Sequence, residues 1–336
     1  MGKRLLSKIR HVSPVCPFLF GIVAQDKENA DLGYEGSHMY KKDGNYYIFT
    51  CHMEKGKKKT EDCFVSDSLT GAFKGKCIID DDMGYHGLGV AQGGMVDTPD
   101  GDWYAFMFQD RGALGRAPVL MPMHFEDGFP IIGENGKVPE VVTVLDTGYQ
   151  YAAINGSDDF FYKPDENGQI TLKNFWEFNH QQMDDFWSVT ENTGHLRLHS
   201  AKLSPTLFQA YNTLTQRTVG PKCAAEVTLR FAHMKNGDVA GISTFIGNYG
   251  FTGVKKENDQ FYLIMMGRSA KDTTVFGQFE YENPGLEYAR VPIYGESICL
   301  RAEADFTDKR DLSSFYYKEG DNWQKLGIDQ PMYFKM

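Results

Sequence analysis

Between Met39 and Phe108 apolar residues recur at period two, in short runs that each end on turn chemistry, and no stretch keeps a helical period of 3.6. Met39-Tyr40 and Tyr46-Tyr47-Ile48-Phe49 flank Asp43-Gly44, a strong hairpin signal. Gly94-Met95-Val96 leads through Pro99-Asp100-Gly101 into Trp103-Tyr104-Ala105-Phe106-Met107-Phe108. Cys63-Phe64-Val65 and Cys77-Ile78-Ile79 add two more strand-like pieces. Ala117 to Met123 reads as an edge strand at best, because Pro118 and Pro122 cannot donate to a ladder. Short strands spaced this regularly predict an all-β chain built as propeller blades or sandwich layers.

A length of 336 residues suggests two domains. The segment from Glu126 to about Ser157 is rich in Gly, Pro, Asp and Glu and reads as the crossing, which puts the domains at 1–150 and 151–336. A second β-rich region then begins near Asp158. His195-Leu196-Arg197-Leu198 and Ala225 to Phe231 alternate apolar and polar, as a sheet with one buried face requires, and Gln260 to Met265 is a further strand. The spacing fits a two-sheet sandwich of jelly-roll kind.

Charge and cysteine use exclude several classes. Lys plus Arg is 35 against 45 for Asp plus Glu, a net charge of -10, which argues against a nucleic-acid partner. No apolar run approaches the roughly 20 residues that span a bilayer. Cys16, Cys51, Cys63, Cys77, Cys223 and Cys299 form no C-x-x-C pair and read as reduced, mostly buried thiols. Lys3, Arg4, Lys8 and Arg10 precede an apolar stretch from Pro17 to Ala24, but Pro14 and Pro17 interrupt it and no small-x-small site follows. The stretch reads as non-signal, which favours a cytoplasmic over a secreted location.

Five residues are candidates for chemistry, with four tryptophans beside them. Glu35, in Gly33-Tyr34-Glu35-Gly36-Ser37-His38, could sit at a crowded strand end, where partial desolvation would raise its pKa and let it donate a proton near neutral pH. Arg116 carries a guanidinium fork that can grip sugar hydroxyls, or can form a structural ion pair with Asp110. Gln92 offers an amide among the small residues Ala91, Gly93 and Gly94. His38 and His86 could serve as ligands or as structural histidines. Trp103, Trp176, Trp187 and Trp323 could stack on sugar faces or fill β cores.

Together these stretches resemble glycoside hydrolase family 43, the β-xylosidases and α-L-arabinofuranosidases. Glu35-Gly36-Ser37-His38-Met39-Tyr40-Lys41 through Tyr47 is similar to the family segment E-G-(P/S)-H-x-Y-K-x-x-G-x-Y-Y, whose Glu is the general acid. Thr98-Pro99-Asp100-Gly101-Asp102-Trp103-Tyr104, Leu114-Gly115-Arg116 and Glu126 to Gly133 resemble later propeller motifs, and the family arginine contacts the sugar. Phe175 to His180, Gly194 to Leu198, Asn212 to Arg217 and Gly237 to Gly241 look like the concanavalin-like C-terminal domain. The resemblance runs from 33 to 336. It implies a five-bladed propeller followed by a β-sandwich, with Glu35 catalytic and Arg116, Gln92 and His38 at the sugar. It also implies acid/base hydrolysis with inversion of xylose- or arabinose-containing plant cell-wall oligosaccharides.

Departures from the family shape the expectation. The family's general base and its pKa-modulating Asp lie in earlier blades. Here 34 residues precede Glu35, and their acids Asp26, Glu28 and Asp31 sit in no family motif. The expectation is therefore a propeller short of its first blades and a sandwich short of its last strands, hydrolysing little by itself. An open ring of blades could complete itself by self-association. Gln92 stands where many relatives place a histidine associated with calcium, so no cofactor is expected to be required and calcium is doubtful. The alternatives are a non-catalytic carbohydrate-binding protein and a remnant without function.

Overall fold

Asp43 and Gly44 both take positive φ, 47° and 85°, and close a two-residue turn in which Lys42 pairs with Asn45. Such turns match the natural twist of the strands they join. Asp127 and Gly128, at 48° and 79°, repeat the device between Glu126 and Phe129. The computed structural model describes residues 30–144, 148–246, 248–269 and 283–332. Lys3 to Ala24, with Cys16, and the acids Asp26 and Glu28 lie outside the described residues. The chain divides into two compact units that part near residue 146.

The first unit consists of two four-stranded antiparallel sheets, each a simple meander. One is ordered β1 (Ala30–Lys42), β2 (Asn45–Glu54), β3 (Lys59–Ser66) and β4 (Lys74–Ile79). The other is ordered β5 (Ala91–Asp97), β6 (Trp103–Asp110), β7 (Arg116–Glu126) and β8 (Phe129–Ile132). They pack face to face through Phe49, Cys63, Met95, Met107, Met121 and Ile132, and Trp103 joins the same core. Four-stranded meanders stacked in this way are propeller blades.

β7 corrects the expectation of an edge strand. It runs eleven residues and pairs with β6 along one flank and, from Met123, with β8 along the other. Gly133 N–H donates to Pro122 O, so the backbone polar side of Pro122 faces away from β6. Pro118 has the same parity. Both prolines therefore turn their missing N–H away from the β6 ladder, toward a flank that β8 barely reaches. The crossing is likewise shorter than expected, because Glu126 to Ile132 forms the β7–β8 hairpin rather than a linker. Asp-Gly is turn chemistry in both settings, and composition does not separate them.

In the second unit, 158–220 holds only two-residue strands, β9 (Glu177–Phe178), β10 (Trp187–Ser188), β11 (Arg197–Leu198) and β12 (Leu214–Thr215). The expected strand from His195 thus shrinks to Arg197–Leu198. The sandwich proper begins at β13 (Lys222–Arg230). β14 (Val239–Phe245), β15 (Tyr249–Glu257), β16 (Gln260–Arg268) and β17 (Leu286–Ile293) form one sheet. β13, β18 (Ser297–Asp305), β19 (Leu312–Glu319), β20 (Asn322–Lys325) and β21 (Gln330–Pro331) form the other. Leu263, Met265, Leu300 and Phe315 fill the space between the sheets. The opposite face of β16, with Ile264, packs under Leu207 and Phe208 of the irregular segment. Among the described residues there is no α-helix, and no helix is long and apolar enough to cross a membrane.

The irregular segment is held by a buried charge in place of a ladder. The Asp158 side chain is 1% exposed. It accepts from Trp176 Nε1 at 2.7 Å, Phe160 N–H at 2.9 Å and the Tyr162 hydroxyl, and it pairs with Lys173 Nζ at 3.0 Å. Burial opposes ionisation, but these donors outweigh it and hold the carboxyl below its ordinary pKa. The carboxylate therefore stabilises the fold above that ordinary value, and the contribution is lost as pH falls through the depressed one. Asp158→Ala is expected to lower the unfolding free energy by about 3 kcal/mol. Urea denaturation followed by tryptophan fluorescence checks this. A loss below about 0.5 kcal/mol would show that the donors do as well with water.

Candidate active site

Two bulges isolate Glu35. The register of β1 on β2 shifts between Leu32 and Glu35 and again between Glu35 and His38, leaving Glu35 opposite Cys51. Bulges break side-chain alternation, and here Glu35, Ser37 and His38 are all exposed. This differs from the crowded strand end expected of Glu35. The crowding falls on its backbone instead. Glu35 O accepts from Thr50 Oγ1 at 2.9 Å and from Cys51 Sγ at 3.4 Å, and Ser37 Oγ donates to Thr50 Oγ1 at 3.1 Å. Thr50 and Cys51 are fully buried. The acid thus stands in solvent on a backbone pinned from below, with His38 past the second bulge opposite Phe49.

A matching irregularity lies across from it. The register of β5 on β6 shifts between Ala91 and Gly94, and Gln92 takes φ 58°, in the left-handed region. The bulge takes Gln92 and Gly93 out of the β5–β6 register. Glu61 of β3 receives the Gln92 N–H: its Oε2 accepts at 2.7 Å, and the neighbouring Gly93 N–H dipole favours the charged carboxyl. The Gln92 side chain lies flat on Gly36. A Cβ added at Gly36 would come within 2.5 Å of Gln92 Cγ and Nε2, and Gly36 itself has φ 63°. Only glycine fits there.

Arg116 opens β7. Its Nε lies 3.5 Å from Asp110 Oδ1, and its guanidinium stacks over Phe108 at 4.4 Å. Asp110 Oδ2 accepts from Lys59 Nζ at 2.7 Å, and that ammonium stands 4.6 Å from the Phe108 ring centre. The ion pair expected of Arg116 is present, and it leads inward. Lys59 and Glu61 are two residues apart on β3, and both are buried. Glu35, Gly36, Gln92, Glu61, Lys59, Asp110 and Arg116 thereby follow one another across the first unit.

Glu61 and Lys59 are the members that sequence reasoning missed. Lys55 to Asp62 is rich in charge, and the strand pattern read from the sequence begins only at Cys63. The available signal was parity: Lys59, Glu61 and Cys63 alternate on one strand, so a buried Cys63 carries both charges inward. Glu61 is fully buried, and its Oε1 meets no partner among the described residues. Burial pushes its pKa up to about 8, against the lowering effect of Gln92 N–H, Lys59 and Gly93 N–H. At pH 7 it is mainly a neutral acid. Burial likewise pushes the Cys51 thiol up to about 12. Of the five described cysteines only Cys51 and Cys63 are buried; Cys77 is exposed, and Cys223 and Cys299 lie between. The expectation of mostly buried thiols thus holds for the blade strands alone. Among the described residues no three His, Cys, Asp or Glu side chains gather where they could hold a metal ion.

The family model for glycosyl hydrolases family 43 matches residues 21–130, where this row of residues lies. The model for the β-xylosidase C-terminal concanavalin A-like domain matches 165–334. The chain belongs to glycosyl hydrolase family 43. It is 27% identical to a β-xylosidase of Formosa agariphila, over 70% of this chain and 47% of that protein. It is 26% identical to a non-reducing-end α-L-arabinofuranosidase of Bacteroides ovatus, over 62% of this chain and 40% of that protein. Among solved structures, a bifunctional GH43-CE protein of Bacteroides eggerthii superposes with a TM-score of 0.76 at 36% identity, covering 92% of this chain and 37% of that one. The chain spans about half the length, 35% to 54%, of the curated relatives it matches. As a family 43 chain it carries part of the propeller and the concanavalin-like sandwich.

The raised pKa of Glu61 predicts a pH dependence of stability. The folded value, about 8, lies above the ordinary 4.5, so between these values the folded chain keeps a proton that the unfolded chain gives up. Stability therefore falls as pH rises through this window, by up to about 1 kcal/mol per pH unit. Glu61→Gln removes the titrating group. Its melting temperature is expected to equal the wild type's near pH 4.5 and to exceed it increasingly toward pH 8 in thermal melts. Parallel curves for the two proteins would contradict this.

Proposed function

We propose that this chain belongs to the catalytic machinery of an exo-acting glycosidase that removes xylose or arabinose from plant cell-wall oligosaccharides, with inversion, and that Glu35 is its general acid. The observation that carries the proposal is the placing of Glu35. It is exposed on a pinned double bulge, in the stretch that matches the family segment, and an amide side chain is laid across the adjacent glycine. An acid that protonates a glycosidic oxygen needs solvent access at a fixed position. The names of the relatives, β-xylosidase and α-L-arabinofuranosidase, support both sugars and do not choose between them.

Inversion needs a second carboxylate about 6.5–9.5 Å from the acid, holding a water on the opposite face of the sugar. Glu61 is unsuited to that part. It is fully buried, and one of its oxygens is taken by Gln92 N–H. The proposal assigns none of the described residues to that part. The proposal gives the contacts to the sugar to Arg116, whose Nε faces Asp110, and to Gln92 and His38.

Phenyl glycosides test this, because a phenoxide leaving group needs protonation. Azide should raise the cleavage of phenyl β-D-xylopyranoside or phenyl α-L-arabinofuranoside by the full chain, since it replaces the base-activated water. Glu35→Gln should reduce that cleavage about 100-fold, and azide should not restore it. Absence of cleavage by wild type with azide, or equal cleavage by Glu35→Gln, would remove Glu35 from the role of acid. A first-formed sugar of retained configuration, seen by proton NMR, would overturn inversion.

A further inference from the structure

We infer that Glu61 is a positioning residue of the sugar site: its carboxyl holds the Gln92–Gly93 bulge in the conformation that lays the Gln92 side chain across Gly36, beside the acid. The inference rests on the reading of Glu35 given above, and it assigns a function to a buried acid that the hydrolytic step itself does not use.

The geometry argues it in three steps. A non-glycine residue at φ 58° is uncommon, and such a conformation persists where its surroundings over-determine it. Here the surroundings include the Glu61 carboxyl, which receives the N–H of Gln92, the residue at positive φ. Without that acceptor the Gln92 amide would lose its partner, and the chain would gain by slipping back into register with β6. A slip of that kind would turn the Gln92 side chain away from Gly36. The Gln92 side chain occupies the space a methyl group on Gly36 would take, and Gly36 itself is held at φ 63°, where a side chain would be strained. Register on β5 and position on the acid-bearing hairpin are therefore one variable, and Glu61 sets it.

The groups that face Glu61 fit this part. Lys59 and Asp62 flank it on β3, and Cys63 follows on its own face. Cys51 of β2 and Tyr40 of β1 also feel its charge. Lys59 is committed to Asp110, so it does not neutralise the carboxyl through a direct ion pair. The bond from Gln92 N–H is then the specific interaction that the carboxyl makes.

The test compares Glu61→Gln, which keeps an oxygen acceptor of the same shape, with Glu61→Met, which keeps the volume alone. Amide NMR of the full chain should show Gln92, Gly93 and Gly36 unshifted in Glu61→Gln and displaced in Glu61→Met. Hydrogen exchange at Gln92 should be accelerated in the Met variant only. In wild type these three amides should titrate together with a midpoint near 8, and in Glu61→Gln they should not. That arm decides the matter even if Glu61→Met does not fold. Affinity for xylobiose and for methyl α-L-arabinofuranoside should fall about 10-fold or more in Glu61→Met and stay within twofold of wild type in Glu61→Gln. Undisturbed amides in folded Glu61→Met, or amides that ignore pH in wild type, would overturn the inference. So would disturbed amides with unchanged sugar affinity. If wild type binds neither sugar, the functional reading fails, while the amides still decide whether Glu61 sets the hairpin contact.

Discussion

The two blades depend on a face-to-face packing that is apolar through most of its extent and polar at one margin. Phe49, Met95, Met107, Met121 and Ile132 interlock in the apolar part. On the same inward parity lie Lys59, Glu61 and Gln109, all buried. Each is held by backbone or by a single counter-ion: Lys59 by Asp110, Glu61 by the Gln92 N–H, and Gln109 by the carbonyls of Asp82 and Leu88 at 2.7 and 2.6 Å. Apolar packing sets how close the sheets come, and the polar margin sets the register of the strands that carry the site. Buried polar groups specify geometry because any other arrangement leaves them unpaired.

Glycine and bulge chemistry turn that register into a site. Gly36 and Gln92 both adopt positive φ, one on each sheet, and meet where only a glycine leaves room. The exposed acid and the buried acid are thus two ends of one arrangement. Glu35 has solvent and a pinned backbone; Glu61 has neither solvent nor freedom. Two carboxyls of the same type are driven to opposite conditions by their depth alone. The outer one is open to solvent, and the inner one, kept mainly neutral at pH 7, can only hold backbone.

Much of this was legible in the sequence. Asp43-Gly44 announced its hairpin, and Trp103 to Phe108 its strand, because type I′ turns and period-two patterns are local properties. Glu35 and Arg116 were visible through the motif that surrounds each. Glu61 was not, since Lys-Thr-Glu-Asp after a lysine run looks like solvated surface until the parity of Cys63 is set against it. The length of β7 was hidden for a related reason. A proline is excluded from a ladder on one flank only, and the sequence does not say which flank is paired. The stretch from Asp158 to Gly220 was read as strands because its apolar residues are real. They serve a carboxylate knot at Asp158 and a lid of Leu207 and Phe208 over β16, and such non-local packing leaves no period to detect.

The half-length of the chain relative to its curated relatives bears on the chemistry through the same polar margin. A propeller site is assembled from strand ends of several blades, and each blade must present its residue at a fixed height and angle. The pair described here already fixes Glu35 relative to Gln92 using only groups within the two sheets, namely Thr50, Cys51, Glu61 and Gly36. The acid's position is therefore a property of these blades and does not wait on a further carboxylate to define it. Entropy that would otherwise be lost in ordering the hairpin has been lost on folding. That is the physical reason that part of a family 43 propeller can hold a defined geometry around Glu35, the geometry on which the proposed function draws.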